Sequence, residues 1–239
     1  MPDYEHVSRF YDAVMDDPAP RGARVRRWIE RFHPDATSLL ELGCGTGSIL
    51  VQLADVAFLT GLDRSPEMLA VASEKVPRAR LLQADMESFS LGERFDVVIC
   101  MFDSLNHLLT FEAWQSVFDG VHDHLAEGGL FVFDVNTIGE LRRLGEEPPW
   151  VYDFDDNVMI MDVLCSEDGL SEWDIRIFEH LGGSRYDLSH ERIGELAVRL
   201  SRIRSALEPK FILLDEVGDS EEAPTDESVK AYFACRRRE

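Results

Sequence analysis

The chain has 239 residues, enough for one large domain or for a domain with a smaller lobe. Its 46 acidic residues against 24 basic ones give a formal net charge of −22, which repels phosphate backbones, so we expect no nucleic-acid partner. No apolar run approaches the roughly 20 residues of a membrane helix, and the acidic N-terminus does not resemble a secretory signal, so we expect a cytoplasmic protein without a membrane partner.

The four cysteines and seven histidines follow no metal-binding or disulfide pattern. The cysteines show no C-x-x-C spacing, and His122 and His124 would point to different sides of a helix. The sequence therefore predicts neither a metal site nor a disulfide framework.

The first 35 residues are predicted to be helical. An amphipathic segment covers about 4–15, and a helix over about 23–32 places Val25, Trp28, Ile29 and Phe32 on one stripe. That helix should end before Pro34.

Strands and helices then alternate along the chain. Strands are predicted over 38–43, 57–63, 78–85, 95–102 and 129–136, and helices over 47–56, 65–76 and 111–125. Apolar strands that alternate with helices are typical of a parallel sheet covered on both faces.

The pattern changes after Asn136. Strands are predicted over 157–165, 171–180 and 184–193, where Trp173, Ile175 and Ile177 alternate with polar residues as in a half-exposed antiparallel strand. A helix over 197–207 and strands over 211–217 and 230–236 return to the main sheet. The sequence therefore predicts a single α/β domain with an antiparallel insertion at 140–195.

A glycine-rich turn, ELGCGTG at Glu41–Gly47, lies between the first strand and its helix. Glycines let the backbone approach a ligand closely, and ligands of open parallel sheets bind at the carboxyl ends of the strands. A dinucleotide fingerprint would need a glycine where Ser48 stands. A tight connection without a ligand is the alternative explanation.

Carboxylates end the next two strands and favour a ligand. Asp63 lies 22 residues after Glu41, where an acid can accept both hydrogen bonds of a ribose diol, and Asp85 ends the third strand. These acids would repel a pyrophosphate, and the glycine turn has no Lys or Arg. The pattern therefore favours a sulfonium nucleoside over NAD or ATP.

Three motifs in the expected order, ELGCGTG, GLDRSPEML and QADM, resemble those of the class I S-adenosylmethionine-dependent methyltransferases over residues 39–136. The resemblance implies a Rossmann-like α/β fold, with a mostly parallel sheet, an antiparallel C-terminal strand and a small antiparallel β insertion. It divides the chain into an N-terminal helical lid at 1–35, a cofactor-binding core at 36–139, the insertion at 140–195, and a return to the sheet at 196–239.

The resemblance also implies a cofactor site for S-adenosyl-L-methionine. Gly43 and Gly45 would approach its methionine part, Glu41 would orient the amino end, Asp63 would bind the ribose and Asp85 the adenine amino group. The remaining residues of the predicted site are Cys44, Gly47, Arg64, Met68, Met86 and Phe102.

FYDAVMDD and MFDSLNHL resemble segments of the small-molecule N-methyltransferases of the sugar-amine and glycine type. This similarity implies two catalytic residues, Tyr11 closing over the cofactor and His107 facing the acceptor. It also implies that the insertion caps the acceptor pocket or joins the subunits of a homodimer. Two alternatives stay open: His107 caps the next helix or bonds a backbone carbonyl, and Tyr11 is a core aromatic.

Together these features predict methyl transfer from S-adenosylmethionine to a small-molecule acceptor. The resemblance to small-molecule N-methyltransferases implies an amine nitrogen, and the acidic chain fits such a cationic acceptor. The alternatives are a hydroxyl or carboxylate acceptor, and a non-catalytic protein that binds the nucleoside. An NAD-dependent oxidoreductase is disfavoured by Ser48.

Overall fold

A seven-stranded sheet and a separate four-stranded antiparallel sheet organise the protein. The computed structural model describes residue 4 and residues 6–55, 58–166 and 169–239. The strands are β1 (Ser38–Leu42), β2 (Phe58–Asp63), β3 (Arg80–Gln83), β4 (Phe95–Cys100), β5 (Leu125–Asn136), β6 (Trp150–Phe154), β7 (Asn157–Cys165), β8 (Leu170–His180), β9 (Tyr186–Leu196), β10 (Phe211–Val217) and β11 (Lys230–Arg237). The helices are α1 (Tyr11–Val14), α2 (Ala19–Phe32), α3 (Ser48–Gln52), α4 (Pro66–Lys75), α5 (Phe111–His124), α6 (Ile138–Leu144) and α7 (Leu200–Leu207).

The main sheet has the order β10-β11-β5-β4-β1-β2-β3. Strands β1 to β5 are parallel, and β11 is antiparallel to both β5 and β10. The predicted fold class, with its antiparallel C-terminal strand, is confirmed. The strand order reverses between β1 and β4, so their carboxyl ends open a crevice of the kind that binds ligands in such sheets.

Helices cover the main sheet on both faces. Trp114 and Phe118 of α5 pack with Ile203 of α7 against one face, and Val25 and Trp28 of α2 lie in the apolar cluster on the other. The stripe predicted for α2 is therefore the buried side of this helix. Among the described residues, no helix is long and apolar enough to span a membrane.

The second sheet, of order β6-β7-β8-β9, lies beyond the parallel core in the sequence and matches the predicted insertion, but it has one strand more than predicted. The hairpin between β6 and β7 turns at Asp155 and Asp156, whose φ angles are 48° and 66°. Such a turn usually has glycine or asparagine, so the sequence lacks the usual hairpin signal. Helix α6 was also missed, although the Thr137 side chain caps it by accepting from the Glu140 amide.

Several predicted boundaries were wrong. Where the structure describes the amphipathic segment at 4–15, it has a short 3-10 turn at Val7–Arg9 and the four-residue α1, while α2 begins four residues earlier than predicted. Helix α3 is shorter than 47–56, and residues 56 and 57 lie outside the described residues. Strand β5 begins at Leu125, because a register shift around Gly128 takes up the extra residues.

Candidate active site

The glycine turn after β1 is built from left-handed backbone. Gly43, Gly45 and Gly47 have φ angles of 64°, 51° and 77°, which side chains disfavour. A Cβ on Gly45 would meet no described atom within 4 Å, so the space beside its Cα is open. A Cβ on Gly47 would lie 3.0 Å from Val76 Cγ2, so this glycine serves packing beneath the cleft.

Asp63 connects the end of β2 to that turn. Its Oδ2 accepts a hydrogen bond of 2.8 Å from the Gly45 amide, and its Oδ1 accepts one of 2.8 Å from the Ser65 amide. Burial raises the pKa of the Asp63 carboxyl, while these backbone hydrogen bonds oppose the rise. The carboxylate therefore stands at the cleft in a fixed orientation.

A cleft opens above the carboxyl ends of the strands, where ligands of such sheets bind. The structure brings most of the predicted site residues together around it, namely Tyr11, Gly43, Gly45, Asp63, Arg64, Met68, Asp85, Met86, Phe102 and His107. Glu41 and Cys44 line an adjoining cleft that shares Gly43 and Gly45. Gly47 is instead the residue before α3.

Glu41 is a buried carboxylate with an unsatisfied oxygen. Its residue is 2% exposed, and Oε2 has no hydrogen-bond partner among the described residues. Burial, and then repulsion from Asp63 and Asp134, raise the pKa of Glu41 well above its usual value. Leaving such an atom unpaired is costly, so Glu41 fits a ligand that brings a hydrogen-bond donor or a cation.

Asp85 and Met86 line the same cleft as His107. Asp85 Oδ1 accepts from the Glu87 amide at 2.9 Å, and its Oδ2 lies 4.0 Å from Arg64 Nη1. Met68 and Met86 are buried and supply apolar surface beside that carboxylate. This pairing of an apolar wall with a hydrogen-bond acceptor suits a flat base that carries an amino group.

His107 lies in a short 3-10 turn after β4, held between the N-terminal segment and β9. Its Nδ1 is 3.4 Å from the Gly194 carbonyl oxygen, and its Nε2 is 3.0 Å from the Tyr4 hydroxyl. A carbonyl only accepts, so Nδ1 carries the proton and Tyr4 donates to Nε2. Burial lowers the pKa of His107, although the negative charge of Asp103 acts in the opposite direction. The lowered pKa favours the neutral imidazole.

These contacts bear on the two non-catalytic alternatives for His107, which are capping of the next helix and bonding to a backbone carbonyl. Helix α5 is capped by Thr110, which accepts from the Ala113 amide, so His107 does not cap it. The backbone-carbonyl contact does exist, at Nδ1, and it leaves Nε2 for other partners. Tyr4, which the sequence reasoning missed, is one of them. Nothing in the spacing of residues 4 and 107 indicates the contact.

A buried polar cluster lies behind His107. Lys230 Nζ donates to Asp103 and, at 2.6 Å, to Asn136 Oδ1, while Asn136 donates to Glu195 at 3.2 Å. Burial, and then repulsion from Asp103, raise the pKa of Glu195 to about 8. Sequence reasoning missed this cluster because its members come from β5, β9, β11 and the loop after β4.

Potential metal-ligand atoms of Asp103, His107 and Glu195 lie within 4.8 Å of one another. The ammonium of Lys230 already pairs with Asp103 and supplies positive charge there. The sequence expectation of no metal site stays a prediction.

Comparison with known proteins identifies the family. A family model described as a methyltransferase domain matches residues 39–129. The putative methyltransferase YqeM of Bacillus subtilis is 32% identical over 79% of this chain and 79% of its own length. The dTDP-3-amino-3,6-dideoxy-alpha-D-glucopyranose N,N-dimethyltransferase of Streptomyces fradiae is 36% identical over 54% of this chain and 52% of its own.

Among solved structures, a S-adenosylmethionine-dependent methyltransferase from Clostridium acetobutylicum has a TM-score of 0.82 at 23% identity, covering 96% of this chain and 95% of that one. The chain therefore belongs to the family of S-adenosylmethionine-dependent methyltransferases.

Proposed function

We propose that this methyltransferase transfers the methyl group of S-adenosylmethionine to an amine nitrogen of a small molecule. The observation that carries the proposal is that one cleft joins the glycine turn, Asp63, Asp85 and His107. The amine is favoured by the names of several relatives, which are N,N-dimethyltransferases of dTDP-linked amino sugars. Those relatives align over little more than half of this chain, so the acceptor itself is part of the proposal.

The residues of the cleft fit the cofactor in three ways. The unpaired Oε2 of Glu41 suits the ammonium of the methionine part, and the missing Cβ of Gly45 leaves room for its chain. Asp63 would accept from the ribose hydroxyls, and Asp85 from the adenine amino group beside Met86. When bound, the cofactor supplies an electrophilic methyl group on a sulfonium sulfur.

His107 would remove the proton that a protonated amine must lose before it attacks. Its neutral imidazole is a competent base at neutral pH, because burial has already lowered its pKa. Since the Tyr4 hydroxyl occupies Nε2, a proton from the acceptor reaches the imidazole through Tyr4 or after Tyr4 moves aside. Tyr11 would line the cofactor side of the same cleft.

The remaining parts of the chain have roles that follow from their position. The lid predicted at 1–35 would cover the cofactor, and the insertion at 140–195 would close the acceptor side, as the contact between His107 and Gly194 supports. We also propose that the protein is cytoplasmic and that it forms a homodimer.

Thermal unfolding with S-adenosylmethionine, S-adenosylhomocysteine, NAD and ATP in parallel tests the cofactor. A ligand at about 100 times its dissociation constant stabilises the folded state by roughly 2.7 kcal/mol, or about 5–10 °C for this size. We expect a shift with the two sulfur nucleosides only. No shift with either sulfur nucleoside at millimolar concentration would contradict the proposal, and it would equally contradict a non-catalytic protein that binds the nucleoside.

Release of S-adenosylhomocysteine with matched acceptors tests whether nitrogen is the methylated atom. An amino sugar and its parent sugar, which differ only in an amine and a hydroxyl, form such a pair. Turnover with the amino sugar alone is expected. Turnover with the hydroxyl compound alone would replace N-methylation by O-methylation.

A further inference from the structure

The N-terminal segment, defined here as residue 4 and residues 6–17, crosses from the four-stranded sheet to the glycine turn. At the sheet, Val7 is buried in one apolar cluster with Met159 and Met161. The Glu191 carboxylate there accepts from the amides of His6 at 2.5 Å and Val7 at 3.3 Å. This end of the segment is thus fixed by the burial of Val7 together with partly buried hydrogen bonds.

At the other end Tyr11, Val14 and Met15 pack, partly buried, against the same apolar cluster, and one carboxylate joins the segment to the glycine turn. Asp12 Oδ1 accepts from Thr46 Oγ1 at 2.7 Å and from Ser48 Oγ at 3.1 Å, and Asp12 Oδ2 pairs with the ammonium of Lys75. Lys75 Nζ also donates to Thr46 Oγ1 at 2.9 Å and to Ser48 Oγ at 3.2 Å. We call these four side chains the clasp.

The clasp joins elements that are remote in sequence. Thr46 belongs to the glycine turn, Ser48 begins α3, and Lys75 ends α4, so a basic group does reach the turn although the turn has none of its own. The Asp12 carboxylate lies where three donors meet. Burial raises the pKa of Asp12, but the hydrogen bonds from Lys75 and Thr46 outweigh it and hold the pKa below its usual value, so the group stays ionised.

The clasp acts on the cleft through the neighbouring residue. Tyr11 precedes Asp12 and lines both clefts, so the position of the carboxylate fixes the backbone from which Tyr11 projects. Helix α1 has no fully buried residue, and Tyr11 and Val14 are only half-buried where they pack against the apolar cluster in which Val7 is fully buried. Polar contacts to partly exposed groups break more readily than apolar burial, so this end is the one that can release.

We infer that Asp12 is a positioning residue that latches Tyr11 over the cofactor cleft and limits how fast the cofactor exchanges. The inference rests on the proposed function, in that the adenosyl compound occupies the cleft. Opening requires the segment to pivot about the Val7 end while the clasp separates. No covalent step is involved.

The first test measures, without any ligand, whether Asp12 holds the N-terminal segment in place. Hydrogen exchange of the whole protein is compared between wild type, Asp12→Asn and Asp55→Asn. The control removes an exposed ion pair between Asp55 and Arg26, outside the residues that line the two clefts. We expect amides of residues 11–16 to exchange about three- to tenfold faster in Asp12→Asn and unchanged in the control. Equal exchange in all three proteins would overturn the latch.

The second test measures how fast the product S-adenosylhomocysteine dissociates. Dissociation of S-adenosylhomocysteine should be about three- to tenfold faster in Asp12→Asn, and Asp12→Glu should restore part of the difference. If amide hydrogens of the segment exchange faster in Asp12→Asn but S-adenosylhomocysteine dissociates at a rate within twofold of wild type, Asp12 does not limit cofactor dissociation and the inference is overturned. A wild-type protein that binds no adenosyl compound would contradict the proposed function, and the exchange of residues 11–16 would still decide the latch.

Discussion

Replacing Gly45 by alanine separates the binding role of the glycine turn from its backbone strain. Gly45 has a φ of 51°, and a Cβ there would meet no described atom within 4 Å. Gly92 has a φ of 68° and equally open surroundings, but it does not line the two clefts. Each Gly→Ala change should cost roughly 1–2 kcal/mol of left-handed strain, or about 2–8 °C in Tm.

Of the two variants, only Gly45→Ala should weaken binding of the cofactor. Its methyl group would occupy the space that the proposed site gives to the methionine part, and overpacking of this kind costs about 1–3 kcal/mol, which is roughly a 5- to 150-fold rise in Kd. Isothermal titration with S-adenosylhomocysteine measures the two variants beside wild type. An unchanged Kd in Gly45→Ala, or an equal rise in Gly92→Ala, would refute the close approach. Gly43 is less suitable, since a Cβ there would meet Ser104 Oγ at 2.9 Å.

Three further changes test other parts of the site. His107→Ala should lower kcat by about 10²–10⁴ and leave the Kd of S-adenosylmethionine within twofold, and the acid limb of the wild-type pH profile should lie below the ordinary histidine pKa of about 6.5. Unchanged turnover in stopped-time assays would end the role as a base. Asp63→Ala should raise the Kd roughly 10- to 100-fold through lost charged hydrogen bonds, and an unchanged Kd would remove the ribose contact. Glu195→Gln should stabilise the protein at neutral and higher pH. The folded carboxyl has a pKa of about 8, while the unfolded one releases its proton near pH 4.5, so the wild-type free energy of unfolding falls over that window, by up to about 5 kcal/mol. Urea unfolding from pH 5 to 8 should show this slope in wild type and a flatter one in the variant; parallel curves would contradict it. Asp103 and Lys230 face Glu195 in both proteins.

Much of the main sheet could be predicted because its signals are local. Apolar strands, the helix start at Ser65 and Pro66, and the glycine turn each need only a few consecutive residues, and each was found where expected. Strand β6 escaped because its turn uses aspartate in a conformation that usually needs glycine. Helix α1 was overestimated because the same apolar residues that suggest an amphipathic helix here pack irregularly against the four-stranded sheet.

The candidate site divides in the same way. Glu41, Gly45, Asp63 and Asp85 are recognisable in the sequence because parallel strands bring their carboxyl ends to one edge, so position along the chain implies position in space. The contact from Tyr4 to His107 follows no such rule.

The sequence by itself determined the sheet, the cofactor motifs and the acidic character of this protein, because hydrophobic periodicity and turn chemistry act over short distances. Only the tertiary structure decided which groups meet across the cleft. Lys75 reaches the glycine turn and meets Asp12 through the packing of α4 against the N-terminal segment. Lys230 meets Asp103 because β11 inserts beside β5. Such contacts depend on how whole elements pack, and no local pattern of residues encodes them.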